Sequence, residues 1–208
     1  MAFFNENFRH VVGDLLHRHR VWLLAPLIGV GLFITPHGTP NGRGGFMLFA
    51  GGIGILFGTL LRVVCYTFVG SIDPIRNPIV RMVTDGPYAV TRNPVYLGEG
   101  AIALGIAMMS RTPWYVIMTL LICGLIYALI IEWEEHVQRS RFGAAYEQYC
   151  RSVPRWFSFA RLLHPESYLK TKGQIKLVRA IRAESLTMLM GLLAILAFLA
   201  RADLEFVF

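Results

Sequence analysis

Residues 85–98 read DGPYAVTRNPVYLG, a polar, turn-forming stretch set between two long apolar runs. Proline fixes φ and pushes the residue before it away from helix, so Gly86-Pro87 and Asn93-Pro94 each punctuate the backbone. Tyr88, Arg92, Asn93 and Tyr96 fill the same stretch with donors, acceptors and aromatic faces. Directly afterwards the chain turns apolar again, over residues 95–109. A stiff loop rich in functional side chains, at the mouth of an apolar helix, is a candidate ligand cradle.

The rest of the chain says what kind of protein holds this loop. Of its 208 residues 55% are hydrophobic and 16% charged, against about 25% charged in a soluble domain. Apolar runs at 21–35, 46–70, 95–109, 114–131 and 183–200 predict an all-α, polytopic membrane protein with five transmembrane helices. The length suits one membrane domain over 1–208, with a core at 46–157. A basic interfacial segment and the last span then occupy 158–208.

The net charge of +7 is read by its placement, which points to a membrane and away from nucleic acid. With five spans, sixteen of the 20 lysines and arginines share one side and three the other, Arg62 lying inside a run. The positive-inside rule then puts the N-terminus and both long polar segments in the cytoplasm, with the C-terminus opposite. Cys65, Cys123 and Cys150 form no CxxC pair, so no disulfide framework or zinc pattern is expected. They read as structural thiols.

The basic end His17-Arg18-His19-Arg20 reads as solvated or facing lipid headgroups. The first run makes about 22 Å of helix against a core of roughly 30 Å, and Pro26 is placed to kink it. In the second run Ala50, Gly54 and Gly58 form a small-residue stripe for close helix packing. Arg62, about 12 Å from the cytoplasmic end of that run, is expected to meet Glu99 inside the bundle. Reversing both charges together then restores what either reversal loses.

Runs three and four form a hairpin around residues 110–113, with Pro113 at a helix start and Trp114 and Tyr115 at the outer interface. The fourth run carries on into the polar residues 132–140, and Gly143 interrupts it. Residues 174–182 alternate apolar and basic side chains, as an interfacial helix drawn to anionic lipid does.

Glu132, Glu134 and Glu135 cluster where the fourth helix leaves the membrane, and like charges at this spacing call for a cation. Metal suits the site poorly, because Trp133 breaks the ligand spacing, and a cationic organic ligand suits it better. Carboxylates accept from hydroxyls or an ammonium, aromatic faces hold a sulfonium, and arginines clamp a carboxylate. Glu134 and Glu135, Tyr88, Tyr96, Tyr146 and Tyr149, and Arg92, Arg151 and Arg155 meet those needs. S-adenosylmethionine is one ligand they allow; composition and spacing do not single it out.

Two motifs make this specific: GPYAVTRNPVYLG, and EExxxxxxFGxxYxxYxxxVPRW over residues 134–156. Together they resemble the membrane methyltransferases of the isoprenylcysteine carboxyl methyltransferase and phospholipid methyltransferase superfamily. The resemblance implies S-adenosylmethionine held between the proline loop and the emerging helix, beside a lipid-facing substrate tunnel. On that likeness Tyr88, Arg92, Asn93, Pro94, Tyr96 and Leu97 line the cofactor from the loop. Glu134 and Glu135 match the paired glutamates, and Tyr146, Tyr149 and Arg155 match the end of the second motif. Asn93 stands where the isoprenylcysteine branch carries histidine, which favours an amine headgroup over a prenylcysteine carboxylate. Gln138 replaces the leucine usual after the first glutamate.

Methyl transfer from a sulfonium is an in-line displacement, in which the protein holds the reacting atoms collinear and excludes water. An amine acceptor loses a proton, for which Glu134, Glu135 or Glu99 is a candidate receiver. A carboxylate acceptor needs no base and is oriented by Arg92 or Arg155. Two other readings stand beside this one. Leu97-Gly98-Glu99 echoes the loop of the NADPH-dependent steroid-reductase-like membrane enzymes, and a non-enzymatic scaffold can keep such a fold.

Overall fold

Proline at a helix start and glycine at a helix end set the boundaries that position the site. The computed structural model describes residues 6–36, 42–69, 82–157, 163 and 177–203. Among these, seven α-helices follow in order: α1 (Glu6–His19), α2 (Leu24–Ile34), α3 (Gly42–Val69), α4 (Pro94–Met109), α5 (Pro113–Phe142), α6 (Ala144–Ser152) and α7 (Leu177–Asp203). Pro94 and Pro113 open α4 and α5, where a missing N–H leaves no helical bond unmade. Gly143, at φ +52°, ends α5 and starts α6, a backbone region that costs a side-chain-bearing residue energy.

Among the described residues three helices, α3, α5 and α7, are long and apolar enough to cross a membrane. Their outward faces are leucine, isoleucine and phenylalanine, including Phe49, Leu56, Leu60, Leu121, Leu125, Leu192 and Leu196, all half or more exposed. Such faces suit hydrocarbon, not water. The other two expected spans are shorter. Helix α4 has 16 residues, and the first run forms a 3-10 turn (Arg20–Leu23) followed by the 11 residues of α2. That turn and helix nevertheless run alongside α4 from end to end. Arg20 bonds to Tyr96 near the start of α4, and Arg111, just past its end, donates to the Pro36 carbonyl at 2.7 Å. Pro26 falls in the first turn of α2, where it is tolerated.

Helix α4 is the centre, with α2, α3, α5 and α7 packed around it. Ile55, Ile102, Ile106, Met109, Leu24, Ala194 and Phe198 make the main core from four of those helices. Glycines bring α3 and α4 together. A Cβ on Gly58 would lie 2.8–2.9 Å from Ile102 atoms, one on Gly51 would lie 2.6–2.9 Å from Met109, and one on Gly105 would lie 2.8 Å from Ile55. The expected stripe is therefore real and packs within the chain, with Gly51 in the place assigned to Ala50. Tyr115, expected at the interface, turns inward and donates its hydroxyl hydrogen to the Leu27 carbonyl at 2.7 Å; Trp114 stays exposed.

The basic stretch before the last span is also different. Leu177 to Arg182 belong to α7 itself and not to a separate interfacial helix, with Ala180 buried against Val63, Cys65 and Tyr66; residues 174–176 lie outside the described part. Arg62 meets Glu99, as expected, and also Glu184 of α7.

Candidate functional site

A cavity of about 250 Å3 lies where the proline loop, the polar ends of α3 and α5, α6 and the end of α1 converge. The loop is a 3-10 turn, Gly86–Ala89, that leads into α4 through a short irregular link, residues 90–93. It is zipped to the segment after α6. Arg92 N–H donates to the Pro154 carbonyl at 3.0 Å, and Thr91 Oγ1 and Asn93 Nδ2 donate to the Arg155 carbonyl at 3.1 and 3.0 Å. Tyr149 hydroxyl donates to the Tyr88 carbonyl at 2.7 Å. The two motifs found in the sequence thus fold onto each other.

Glu135 is the electrostatic pivot beneath them. Its buried carboxylate takes both arms of Arg155, Nε to Oε1 at 3.1 Å and Nη2 to Oε2 at 2.6 Å. Arg92 Nη1 stands 3.2 Å from Oε1, and Arg139 Nη2 3.6 Å from Oε2. A planar guanidinium matches a carboxylate in this way, which ties the end of α5 to the segment beyond α6. The carboxylate in turn holds Arg155 above the ordinary arginine pKa. Arg92 Nη1 also donates to Cys150 Sγ at 2.9 Å. Its Nε is buried and has no hydrogen-bond partner among the described residues.

The opposite wall comes from the end of α1 and the start of the 3-10 turn, just before the first apolar run. His17 and Arg20 line the cavity and overturn, for those two residues, the reading of 17–20 as a solvated or headgroup-facing end; Arg18 and His19 stay exposed. Arg20 Nη1 and Nη2 donate to the hydroxyls of Tyr96 and Tyr66 at 3.0 and 2.7 Å. Its Nε is 3.1 Å from Glu99 Oε1, and its guanidinium lies over the Tyr96 ring at 5.5 Å. His17 Nδ1 is 3.1 Å from Glu134 Oε1, and its ring packs on Trp133 with centroids 5.1 Å apart. Gly13 and His17 share one face of α1, and Arg20 follows three residues after His17 at the start of the 3-10 turn, the spacing that could have shown a charged face turned inward.

Of the residues expected at the site, Tyr88, Arg92, Asn93, Pro94, Tyr96, Glu134, Glu135, Tyr146 and Tyr149 line the cavity. Leu97, Glu99 and Arg155 do not. Glu99 sits behind Tyr96, bonded to Arg62 and Arg20, and Arg155 braces Glu135 from outside. Asn93 gives its amide donor to the Arg155 carbonyl, so its side chain closes the loop as well as facing the cavity. Sequence reading missed His17, Arg20, Tyr66, Val69, Met82, Val83 and Val95 as wall residues, and had set Gln138 aside as a departure. Among the described residues no three His, Cys, Asp or Glu side chains gather as a metal site.

The cavity wall carries two carboxylates, Glu134 and Glu135, two arginines, Arg20 and Arg92, five tyrosines and a histidine. Comparison with known proteins agrees with the sequence motifs. Residues 44–145 match the model of the phospholipid methyltransferase family. The nickel-cobalt-cadmium resistance protein NccN of Alcaligenes xylosoxydans xylosoxydans is 25% identical over 168 residues, 78% of this chain and 76% of that protein. The protein-S-isoprenylcysteine O-methyltransferase B of Arabidopsis thaliana is 28% identical over 110 residues, 50% of this chain and 56% of that protein. The protein-S-isoprenylcysteine O-methyltransferase of Schizosaccharomyces pombe is 37% identical over 79 residues, 38% of this chain and 34% of that protein. No solved structure matches.

Proposed function

Residues 44–145 belong to the phospholipid methyltransferase family, and on that premise we propose that the chain is an S-adenosylmethionine-dependent methyltransferase acting on a lipid or other amphiphilic acceptor at the membrane interface. The observation that carries it is the unpartnered Nε of Arg92 in a cavity that also presents Glu134 and five tyrosines. A guanidinium edge with a free donor suits the cofactor's carboxylate, and Glu134 suits its hydroxyl or ammonium groups. When bound, the cofactor supplies an electrophilic methyl carbon on a sulfonium.

The residues of this chain do the rest. Tyr66, Tyr88, Tyr96, Tyr146 and Tyr149 wall the cavity with ring surface, which keeps water from the reacting atoms. The contacts of the loop with residues 154 and 155 hold Arg92 and Tyr96 in fixed relation, so orientation is set before the acceptor arrives. Glu135 is occupied by arginines and serves as a brace. An amine headgroup is our preferred acceptor over a prenylcysteine carboxylate. Anionic headgroups pair with the basic segments, which face the cytoplasm in this reading, as does the site.

Isothermal titration of the purified chain with S-adenosylhomocysteine and with NADP tests this. Tight binding of the first and none of the second is expected, with Arg92→Ala weakening it about ten-fold or more. Binding of NADP alone would turn the reading to a reductase, and binding of neither by folded protein would leave a scaffold. Labelled methyl groups recovered in a membrane lipid would then identify the acceptor. The name of the NccN relative adds an expectation that losing the gene lowers tolerance to nickel, cobalt or cadmium. With no gathered metal ligands among the described residues, we assign such an effect to the methylated product.

A further inference from the structure

We propose that His17, paired with Glu134, is the proton acceptor of the transfer reaction. The proposal rests on the methyltransferase reading and adds a catalytic residue from outside the segment that matches the family, residues 44–145.

The geometry singles this pair out. Both side chains line the cavity and each is 30% exposed. His17 Nδ1 faces two partners of opposite character: Glu134 Oε1 at 3.1 Å, an acceptor, and Arg20 Nη1 at 3.0 Å, a donor. An imidazole nitrogen carries either a lone pair or a proton. With a lone pair, Nδ1 accepts from Arg20; with a proton, it donates to Glu134. Both partners are already in place, so proton uptake exchanges the contact with Arg20 for a charge-assisted bond to Glu134. Such preorganisation lowers the cost of charge appearing in the site.

The neighbours leave few rivals. Arg20 has its nitrogens on Glu99, Tyr96 and Tyr66 and cannot accept. Glu135 is engaged by arginines at both oxygens. Glu99 is buried away from the wall beside Arg62 and Arg20. Tyr96, whose hydroxyl is 3.3 Å from Nδ1, is neutral at physiological pH. On its own helix, Asp14 pairs with Arg18 at 2.8 Å on the exposed side. The groups that set the proton affinity of His17 are therefore Glu134, Arg20 and Tyr96, with Tyr66 and Glu99 behind Arg20.

For an acceptor that enters as an ammonium, one N–H bond breaks and its proton passes to the His17–Glu134 pair. The freed lone pair forms the bond to the methyl carbon, and the methyl–sulfur bond breaks with its electrons kept on sulfur as a neutral thioether. Water then takes the proton from the pair.

The test uses the full chain in lipid nanodiscs, with His17→Gln and His17→Asn checked for folding by thermal unfolding. Both should bind S-adenosylhomocysteine within about two-fold of the parent, yet transfer labelled methyl groups in their host membranes about ten-fold or more slowly. The rise of activity with pH that the proposal expects of the parent should be lost. A readout apart from activity is the 15N signal of His17 Nδ1 in the S-adenosylhomocysteine complex. It should pass from protonated to lone-pair form over the pH range where transfer rises, and at lower pH in Glu134→Gln. Parent-like rate and pH profile in the variants, or a signal that does not change over that range, would overturn the proposal. So would loss of S-adenosylhomocysteine binding in a folded variant, which would make His17 a cofactor holder. A parent chain that binds no S-adenosylhomocysteine sinks the methyltransferase reading itself, a separate outcome.

Discussion

Arg62 of α3 and Glu184 of α7 form a buried, two-armed ion pair, Nε to Oε2 at 2.6 Å and Nη2 to Oε1 at 2.9 Å. The third nitrogen of Arg62 bonds Glu99 of α4, and Glu99 takes Arg20 as well. Two guanidiniums and two carboxylates from four segments thus balance inside the bundle. Through Arg20 they reach the hydroxyls of Tyr66 and Tyr96 in the cavity wall. Charges so far from water persist only when each is matched.

Removing members of this cluster should therefore cost unequal amounts. Arg62→Met strands Glu184, leaves Glu99 with Arg20 alone, and is expected to destabilise by about 3–5 kcal/mol. Glu184→Gln keeps a hydrogen-bonding partner for Arg62 and should cost about 1–3 kcal/mol. Exchanging the charges of Arg62 and Glu99 should restore neither variant. It would set a carboxylate against Glu184 and a guanidinium against Arg20. Thermal unfolding in nanodiscs measures all of these; rescue by the exchange would show that Glu184 and Arg20 lie outside the cluster.

The glycine contacts of α3 give a second contrast. Gly58→Val forces a side chain against Ile102 and the backbone of α4 and should lower stability by about 1–3 kcal/mol or more. Gly52→Ala meets nothing within 4 Å and should leave the melting temperature within a degree or two of the parent, since alanine favours helix. Equal effects from the two would contradict the packing of α3 on α4.

Glu135→Gln should loosen the segment after α6, because Arg155 and Arg92 lose their shared anion. Hydrogen exchange at residues 153–157 should quicken, and affinity for S-adenosylhomocysteine should fall about ten-fold, roughly 1.4 kcal/mol. Arg139, 44% exposed and 3.6 Å from Glu135, contributes little, and Arg139→Ala should change affinity by less than about two-fold.

Alkaline pH should weaken the region around the site. Burial pushes the Tyr88 and Tyr146 phenols above the ordinary value of 10.0, with the charge of Glu135 adding to the shift at Tyr146. The folded state then holds these protons when the unfolded chain has lost them. Their contribution is complete below pH 10 and declines as pH rises beyond it. Unfolding measured in nanodiscs across that range should show the decline, and Tyr146→Phe should flatten it; an identical slope in the variant would remove Tyr146 as a cause.

The apolar runs and proline punctuation determined by themselves that the chain is a helical membrane protein, and the two motifs identified its family. Those signals are local: a run of hydrocarbon side chains, a proline that opens a helix, a spacing within fourteen or so residues. The pairing of Arg62 with Glu99 was legible for a related reason, since a charge buried in a lipid-spanning helix demands a partner at similar depth. Glu184 escaped notice because no local pattern ties it to Arg62, 122 positions away in sequence. His17 and Arg20 were lost for another reason. Basic residues at a helix end look alike whether they face headgroups or a cavity, and only the packing of α1 on α5 decides which. The tertiary structure alone brought that wall to the proline loop, and set Arg92 and Arg155, far apart in sequence, on the one carboxylate of Glu135.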